Sequence, residues 1–156
     1  MRIVEYKTKL TADKKAVLEK EVCVYRPDIE RKMSGPDKVC KLAKGYLHMD
    51  ELAEEYLYMI CMNVKLEMTS LFEISHGTVN SSVVGVREVF QKALLANAVN
   101  IIMIHNHPSG DCTPSREDIN ITKRLVDAGE LLGVSVLDHI IVVGDGYCSL
   151  KEKGFI

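Results

Sequence analysis

Two histidines, His105 and His107, stand at i and i+2 at the end of the apolar run Ile101-Ile102-Met103-Ile104, and Ser115-x-x-Asp118 follows. The run is short and rich in branched residues, which reads as a buried strand. Alternate side chains of a strand share a face, so Ile101, Met103, His105 and His107 point the same way. Two imidazoles so placed supply half of a metal site. Pro108-Ser109-Gly110 ends the strand, because proline cannot donate to a ladder and glycine frees the backbone. A helix is expected next, with Thr113 as N-cap and Pro114 in the first helical position. Asp118, Ile121, Leu125, Ala128 and Leu132 then fall on one helical face. Asp118 is the odd acid on that inward stripe, at the end nearest the histidines. Taken singly, each residue has a plainer reading. Strand histidines are commonly satisfied by backbone groups, and Ser115-x-x-Asp118 also fits a loose capping box. The combination favours one metal ion held by His105, His107 and Asp118.

The elements that must position these residues lie on both sides. Ser34-Gly35-Pro36-Asp37 starts a helix, capped by Ser34 or Gly35, that runs through Val39, Leu42 and Ala43 and stops near Gly45. Met49 to Glu54 reads as a second short helix. Glu55 to Met62 reads as a strand with Tyr56, Tyr58, Ile60 and Met62 on one face and Leu57, Met59 and Cys61 on the other. Glu55 shares the Leu57 face, an expensive place for an acid unless something compensates it. Met68 to Ile74 is the next strand; Ser75-His76-Gly77 turns it, with His76 a loop residue without chemistry. Ser81 or Ser82 caps a helix whose face is Val86, Val89, Phe90, Ala93, Leu94 and Asn97. After the site, Gly133 ends the helix that carries Asp118, and Val134 to Val143 is a strand carrying Asp138 and His139. Gly144-Asp145-Gly146 turns into a last strand, Tyr147 to Leu150. Residues 1–33 are least legible: Ile3 to Leu10 as a strand, Ala12 to Glu19 as a polar helix, Val22 to Tyr25 as another strand. They form an N-terminal arm or extension that pairs with the main sheet or joins two copies in a homodimer, and residues 34–156 form the domain. Alternating strands and helices imply an α/β fold, a mixed sheet flanked by helices.

The 156 residues suit one domain with a real core. A net charge of −2 gives no electrostatic footprint for nucleic acid. Five cysteines without a C-x-x-C pair read as reduced thiols in a cytoplasmic protein. Cys112, between His107 and Asp118, reads as a loop thiol, with a fourth metal ligand or a redox-sensitive neighbour as the alternatives. The charged start Met1-Arg2-Ile3-Val4-Glu5-Tyr6-Lys7 suits neither a signal peptide nor a membrane span.

The pattern H-x-H, seven residues, then S-x-x-D resembles the JAMM motif of MPN-domain (JAB) metalloproteases, and His105, His107, Ser115 and Asp118 match it position by position. The wider run HNHPSGD…TPSREDI…T…LLGV…LDHIIV is similar to the bacterial RadC family, from about Ser34 to Ile156. The resemblance implies a single MPN/JAB-like domain of cytidine deaminase-like architecture. It also implies a peptide or protein substrate cut at amide or isopeptide bonds. Two histidines and one carboxylate leave an open position on Zn²⁺, as a catalytic site requires. In JAMM enzymes the general base is an upstream glutamate on the strand that opens the domain. That pattern lands on Glu55; Glu54 is one residue out of register and points to the opposite face, and Glu73 is a rival one strand later. Ser115 matches the family serine that donates to the tetrahedral intermediate, with a helix-terminal hydroxyl as the plainer reading. Asp138-His139 matches a family segment and reads either as support for the metal site, where a carboxylate near a metal-bound histidine can fix its tautomer, or as a structural pair. Gly85-Val86 replaces the family's usual His-Pro before Arg87, and Cys112 its usual proline. RadC proteins have carried a DNA-repair label, so a DNA-associated protein whose metal site is not used for proteolysis is the alternative. The family's N-terminal helix-hairpin-helix region has no counterpart signature in residues 1–33. An HNH nuclease spreads its motif over a hairpin and helix, and a zinc nucleobase deaminase needs H-x-E and P-C-x-x-C; neither pattern fits.

Overall fold

Branched and aromatic runs become strands, and the 3.6-period segments between them become helices. A computed structural model describes residues 1–77 and 84–156. Its elements in chain order are β1 (Arg2–Leu10), β2 (Ala16–Tyr25), α1 (Pro36–Gly45), β3 (Glu55–Met62), β4 (Met68–Gly77), α2 (Val86–Leu95), β5 (Asn100–Asn106), α3 (Arg116–Leu132), β6 (Ser135–Val143) and β7 (Gly146–Ser149). The strands form one mixed sheet in the order β2-β1-β4-β3-β5-β6-β7. The β1–β4 and β5–β6 pairs are parallel and the others antiparallel. Parallel β5 and β6 need a crossover, and α3 supplies it.

Period-two alternation sorts the sheet's side chains between two cores. Tyr58, Ile60, Met62, Ile102 and Ile104 pack on one face with Val39, Leu42 and Ala43 of α1. Leu57, Met59, Cys61, Ile101 and Met103 pack on the other with Val89, Phe90 and Ala93 of α2 and Ile121 and Leu125 of α3. The expected α/β architecture, a mixed sheet flanked by helices, is therefore the one the chain adopts. Among the described residues, no helix is long and apolar enough to cross a membrane.

Several local expectations are overturned. Ala12 to Glu19 is not helical: Thr11 and Lys15 close a turn, and Ala16 onward is β2. Residues such as Ala16, Leu18 and Glu19 favour helix, but pairing along all of β1 overrides that weak preference. Cross-strand pairs Lys7–Glu21 at 3.2 Å and Lys9–Glu19 at 2.9 Å accompany the hairpin. β1 in turn lies beside β4, so residues 1–33 contribute two strands to the sheet. Met49 to Glu54 is turn and bend rather than helix, because Met49 N–H is drawn back to Ala43 and Glu51 N–H to His48. β4 runs on through Ser75 and His76 to Gly77, with His76 paired opposite Tyr56. The serines expected to cap α2, Ser81 and Ser82, lie outside the described residues; α2 begins at Val86 behind Gly85. Leu94 is exposed and Asn97 lies beyond the helix end at φ 53°, so neither is on its core face.

α3 also starts later than expected. Its N-cap is Ser115, not Thr113, and Pro114 precedes the cap. Asp111 Oδ1 takes the Thr113 N–H at 2.9 Å, which commits that residue to the loop. The inward stripe keeps Asp118, Ile121 and Leu125 but passes to Gly129, leaving Leu132 46% exposed. A Cβ on Gly129 would sit 2.4 Å from the Val134 carbonyl, so glycine lets α3 lie close to the start of β6. Gly133, at φ 69°, then caps the helix as expected.

Candidate metal centre

β5 ends against the first turn of α3. His105 is the penultimate residue of β5, on the face it shares with Ile101 and Met103, and it is fully buried. His107 follows the strand and begins the turn that Gly110 N–H closes on its carbonyl. Asp118 stands in the first turn of α3, 2% exposed. His105 Nε2 lies 2.9 Å from His107 Nε2 and 3.3 Å from Asp118 Oδ1, and His107 Nε2 lies 3.5 Å from Asp118 Oδ2. One ligand atom from each lies within 4.8 Å of the others.

The proton positions sharpen this picture. His107 Nδ1 is 2.7 Å from the Asp111 carbonyl, which only accepts, so Nδ1 carries the proton and Nε2 is bare in the neutral ring. Burial first, and then the neighbouring His139 ring, push His105 well below the usual histidine value, so it stays uncharged. The Asp118 hydrogen bond, opposed by burial, raises His107, with the Asp111 carbonyl and the Glu55 charge adding to it. Burial works against ionisation of Asp118, yet His107, His105 and Ser115 together hold its carboxyl well below the ordinary value. Imidazole nitrogens and a carboxylate thus converge on one point, where a metal cation would draw all three. Tetrahedral zinc at ~2.0–2.1 Å from nitrogen and oxygen ligands spaces them roughly 3.3 Å apart. The observed separations bracket that value, and the nitrogen and oxygen donors suit it. The residues fit a metal ion.

Both readings of Ser115 and Asp118 meet in the same atoms. Ser115 Oγ accepts the Asp118 N–H at 3.1 Å, and Asp118 Oδ2 accepts the Ser115 N–H at 2.7 Å, a complete capping box. The Ser115 hydroxyl also donates to Asp118 Oδ2 at 2.6 Å. The cap fixes the carboxylate that faces the histidines.

Glu55 reaches the site through sheet register. β3 runs antiparallel to β5 with Leu57 opposite His105, and continuing that register two residues puts Glu55 across from His107. The two line one open cavity of ≈ 280 Å³ with Ser109, Asp111, Thr113, Ser115 and Asp118. Glu73 lies elsewhere, on a cavity with Glu5, Lys7, Glu21 and Lys92, and accepts a long bond from Tyr58 at 3.4 Å. Glu54 pairs with His76 at 3.0 Å, whose ring stacks on Tyr56; His76 therefore has partners that a bare loop residue would lack.

Two residues, Asn106 and Thr122, escaped the sequence reading. Asn106, between the two histidines, is buried, accepts the Tyr56 N–H at 2.8 Å and donates to the Glu54 carbonyl at 3.0 Å. It clamps the backbone on both sides of Glu55. Of its two readings Asp138 takes the structural one: its carboxylate accepts the His139 N–H, the Ser149 hydroxyl and the Lys151 N–H. It is His139 that reaches His105, Nε2 to Nδ1 at 2.8 Å, and His139 Nδ1 lies 2.6 Å from Thr122 Oγ1. The four-residue spacing of Asp118 and Thr122 was the one hint of the threonine's place. Cys112 packs beside Ile141, Cys148 and Leu150 and stands outside the His105–His107–Asp118 group.

A family model for the RadC-like JAB domain matches residues 33–155. The chain is 48% identical over 121 residues to a UPF0758 protein of Desulforamulus reducens, covering 78% of this chain and 52% of that one. A UPF0758 protein of Caldanaerobacter subterraneus is 52% identical over 124 residues, 79% of this chain and 52% of the relative. One from Methanosarcina barkeri is 44% identical over 127 residues, 81% and 55% respectively. The chain spans about half the length of these relatives.

Proposed function

The chain belongs to the RadC-like JAB domain family, and from that premise we propose that it is a zinc-dependent metallohydrolase of the JAMM type, cutting amide bonds of a peptide or protein substrate. The observation that carries the reading is the convergence of His105 Nε2, His107 Nε2 and Asp118 on one point beside a polar cavity that Glu55 also lines. Zinc held there supplies Lewis acidity, polarising a carbonyl and lowering the pKa of a water it binds from 15.7 to ~7.

The remaining work falls to side chains. Glu55, half-exposed on the cavity wall, takes the proton of the attacking water and returns it to the leaving nitrogen as the C–N bond breaks. Ser115 Oγ turns its proton from Asp118 to the oxyanion that forms at the attacked carbonyl. Asn106 holds the backbone around Glu55 so that the carboxylate stays beside His107. A DNA-associated role finds no support in the charge of −2.

Metal analysis and a peptide-library cleavage assay test the reading together. About one zinc per chain is expected, lost in His107→Ala and Asp118→Ala, with cleavage that a chelator stops. Full zinc in both variants refutes the ligand assignment. Tight, selective duplex DNA binding at physiological salt without any cleavage favours the DNA-associated reading instead.

A further inference from the structure

We propose that His139 and Thr122 are positioning residues that hold His105 in its Nδ1–H tautomer, leaving Nε2 free to face the metal position. The proposal deepens the metallohydrolase reading and depends on it for the identity of the ion.

Thr122 lies one helical turn beyond Asp118, and its Oγ1 is 2.6 Å from the Asp118 carbonyl. A carbonyl only accepts, so the single Thr122 proton is committed there. His139 Nδ1 sits 2.6 Å from the same Oγ1 and must therefore be the donor. Neutral imidazole carries one N–H, so His139 Nε2 accepts, and its partner at 2.8 Å, His105 Nδ1, donates. His105 Nε2 is then bare and faces His107 and Asp118.

The reverse order of protons has a specific defect. If Thr122 donated to His139, two oxygens would face each other at 2.6 Å with no proton between them. His105 would then carry its proton on Nε2, in the place a metal must take. Thr122 and His105 are fully buried and His139 is 1% exposed, so solvent cannot replace a lost partner. A metal-bound histidine usually gives its second N–H to a carboxylate, a backbone carbonyl or water. Here the acceptor is a second imidazole, itself oriented by a helix hydroxyl.

Histidine ¹⁵N spectra of chelator-treated protein at neutral pH read the tautomers directly. Protons on Nδ1 of both His105 and His139 are expected, and a proton on Nε2 of either overturns the proposal. Zinc affinity, measured by competition with a chromophoric chelator, is the second readout. Thr122→Val and His139→Phe should each weaken it about 10–100-fold, the usual effect of losing such a partner. Thr122→Ser, which keeps the hydroxyl, should restore it. Unchanged affinity in folded Thr122→Val overturns the proposal, and that variant decides the matter if His139→Phe fails to fold. Should the wild-type chain take up no zinc, the metallohydrolase reading fails by itself, while the tautomers still decide the role of His139 and Thr122.

Discussion

Removing the Ser115 hydroxyl separates its role as a cap from its proposed role as an oxyanion donor, because the two act on different free energies. In folding, Ser115→Ala deletes the acceptor of the Asp118 N–H at 3.1 Å and the donor to Asp118 Oδ2 at 2.6 Å. The other half of the capping box survives, since the Ser115 N–H that reaches Asp118 Oδ2 at 2.7 Å belongs to the backbone. Losing a serine N-cap to alanine costs ~1 kcal/mol, within a range of about 0.5–2. For a chain of this size that lowers the Tm by roughly 2–4 °C per kcal/mol. In catalysis, losing one oxyanion donor costs ~2.7–4 kcal/mol, a fall of about 10²–10³-fold in kcat. The acceptor of the Asp118 N–H is the same in ground and transition states, so with zinc content unchanged its loss costs stability rather than turnover. Ser115→Gly separates the effects further. Glycine gives up only a few tenths of a kcal/mol at an N-cap, so its Tm should lie near wild type while kcat stays about 10²–10³-fold down. The assay pairs thermal melts with turnover of a zinc-loaded protein on a library-derived peptide. Wild-type kcat in Ser115→Gly would refute the donor role and leave Ser115 a helix cap.

If Glu55 is the proposed general base, Glu55→Gln should keep its zinc and lose about 10²–10⁴-fold in kcat; zinc lost along with activity would make Glu55 a ligand. Asn106→Ala removes the acceptor of the Tyr56 N–H and the donor to Glu54. Zinc content should hold while the Tyr56 amide exchanges faster with solvent, and unchanged exchange would contradict the clamp. Gly129→Ala sets a helix-propensity gain of ~0.8–1.0 kcal/mol against a Cβ 2.4 Å from the Val134 carbonyl. Overpacking of that kind costs about 1–3 kcal/mol, so the melt should move down, and a higher Tm would show that α3 shifts freely on β6.

What the amino-acid sequence determined alone is what neighbours along the chain settle between themselves. A strand's period of two puts His105 on the face of Ile101 and Met103, whatever packs there. Three-residue spacing lets Ser115 and Asp118 close a capping box without help from the rest of the fold. The faces of β3 and the glycine cap of α3 were legible for the same reason. Tertiary structure decided the contacts between segments far apart in sequence. Only the antiparallel register of β3 on β5 brings Glu55 to His107 while Glu73 faces another cavity. Parallel pairing of β6 with β5 sets His139 rather than Asp138 against His105. The helix-forming residues around Ala16 to Glu19 become a strand because β1 offers a partner along its whole length. Local preferences are worth a fraction of a kcal/mol per residue, so pairing and burial override them wherever the two conflict.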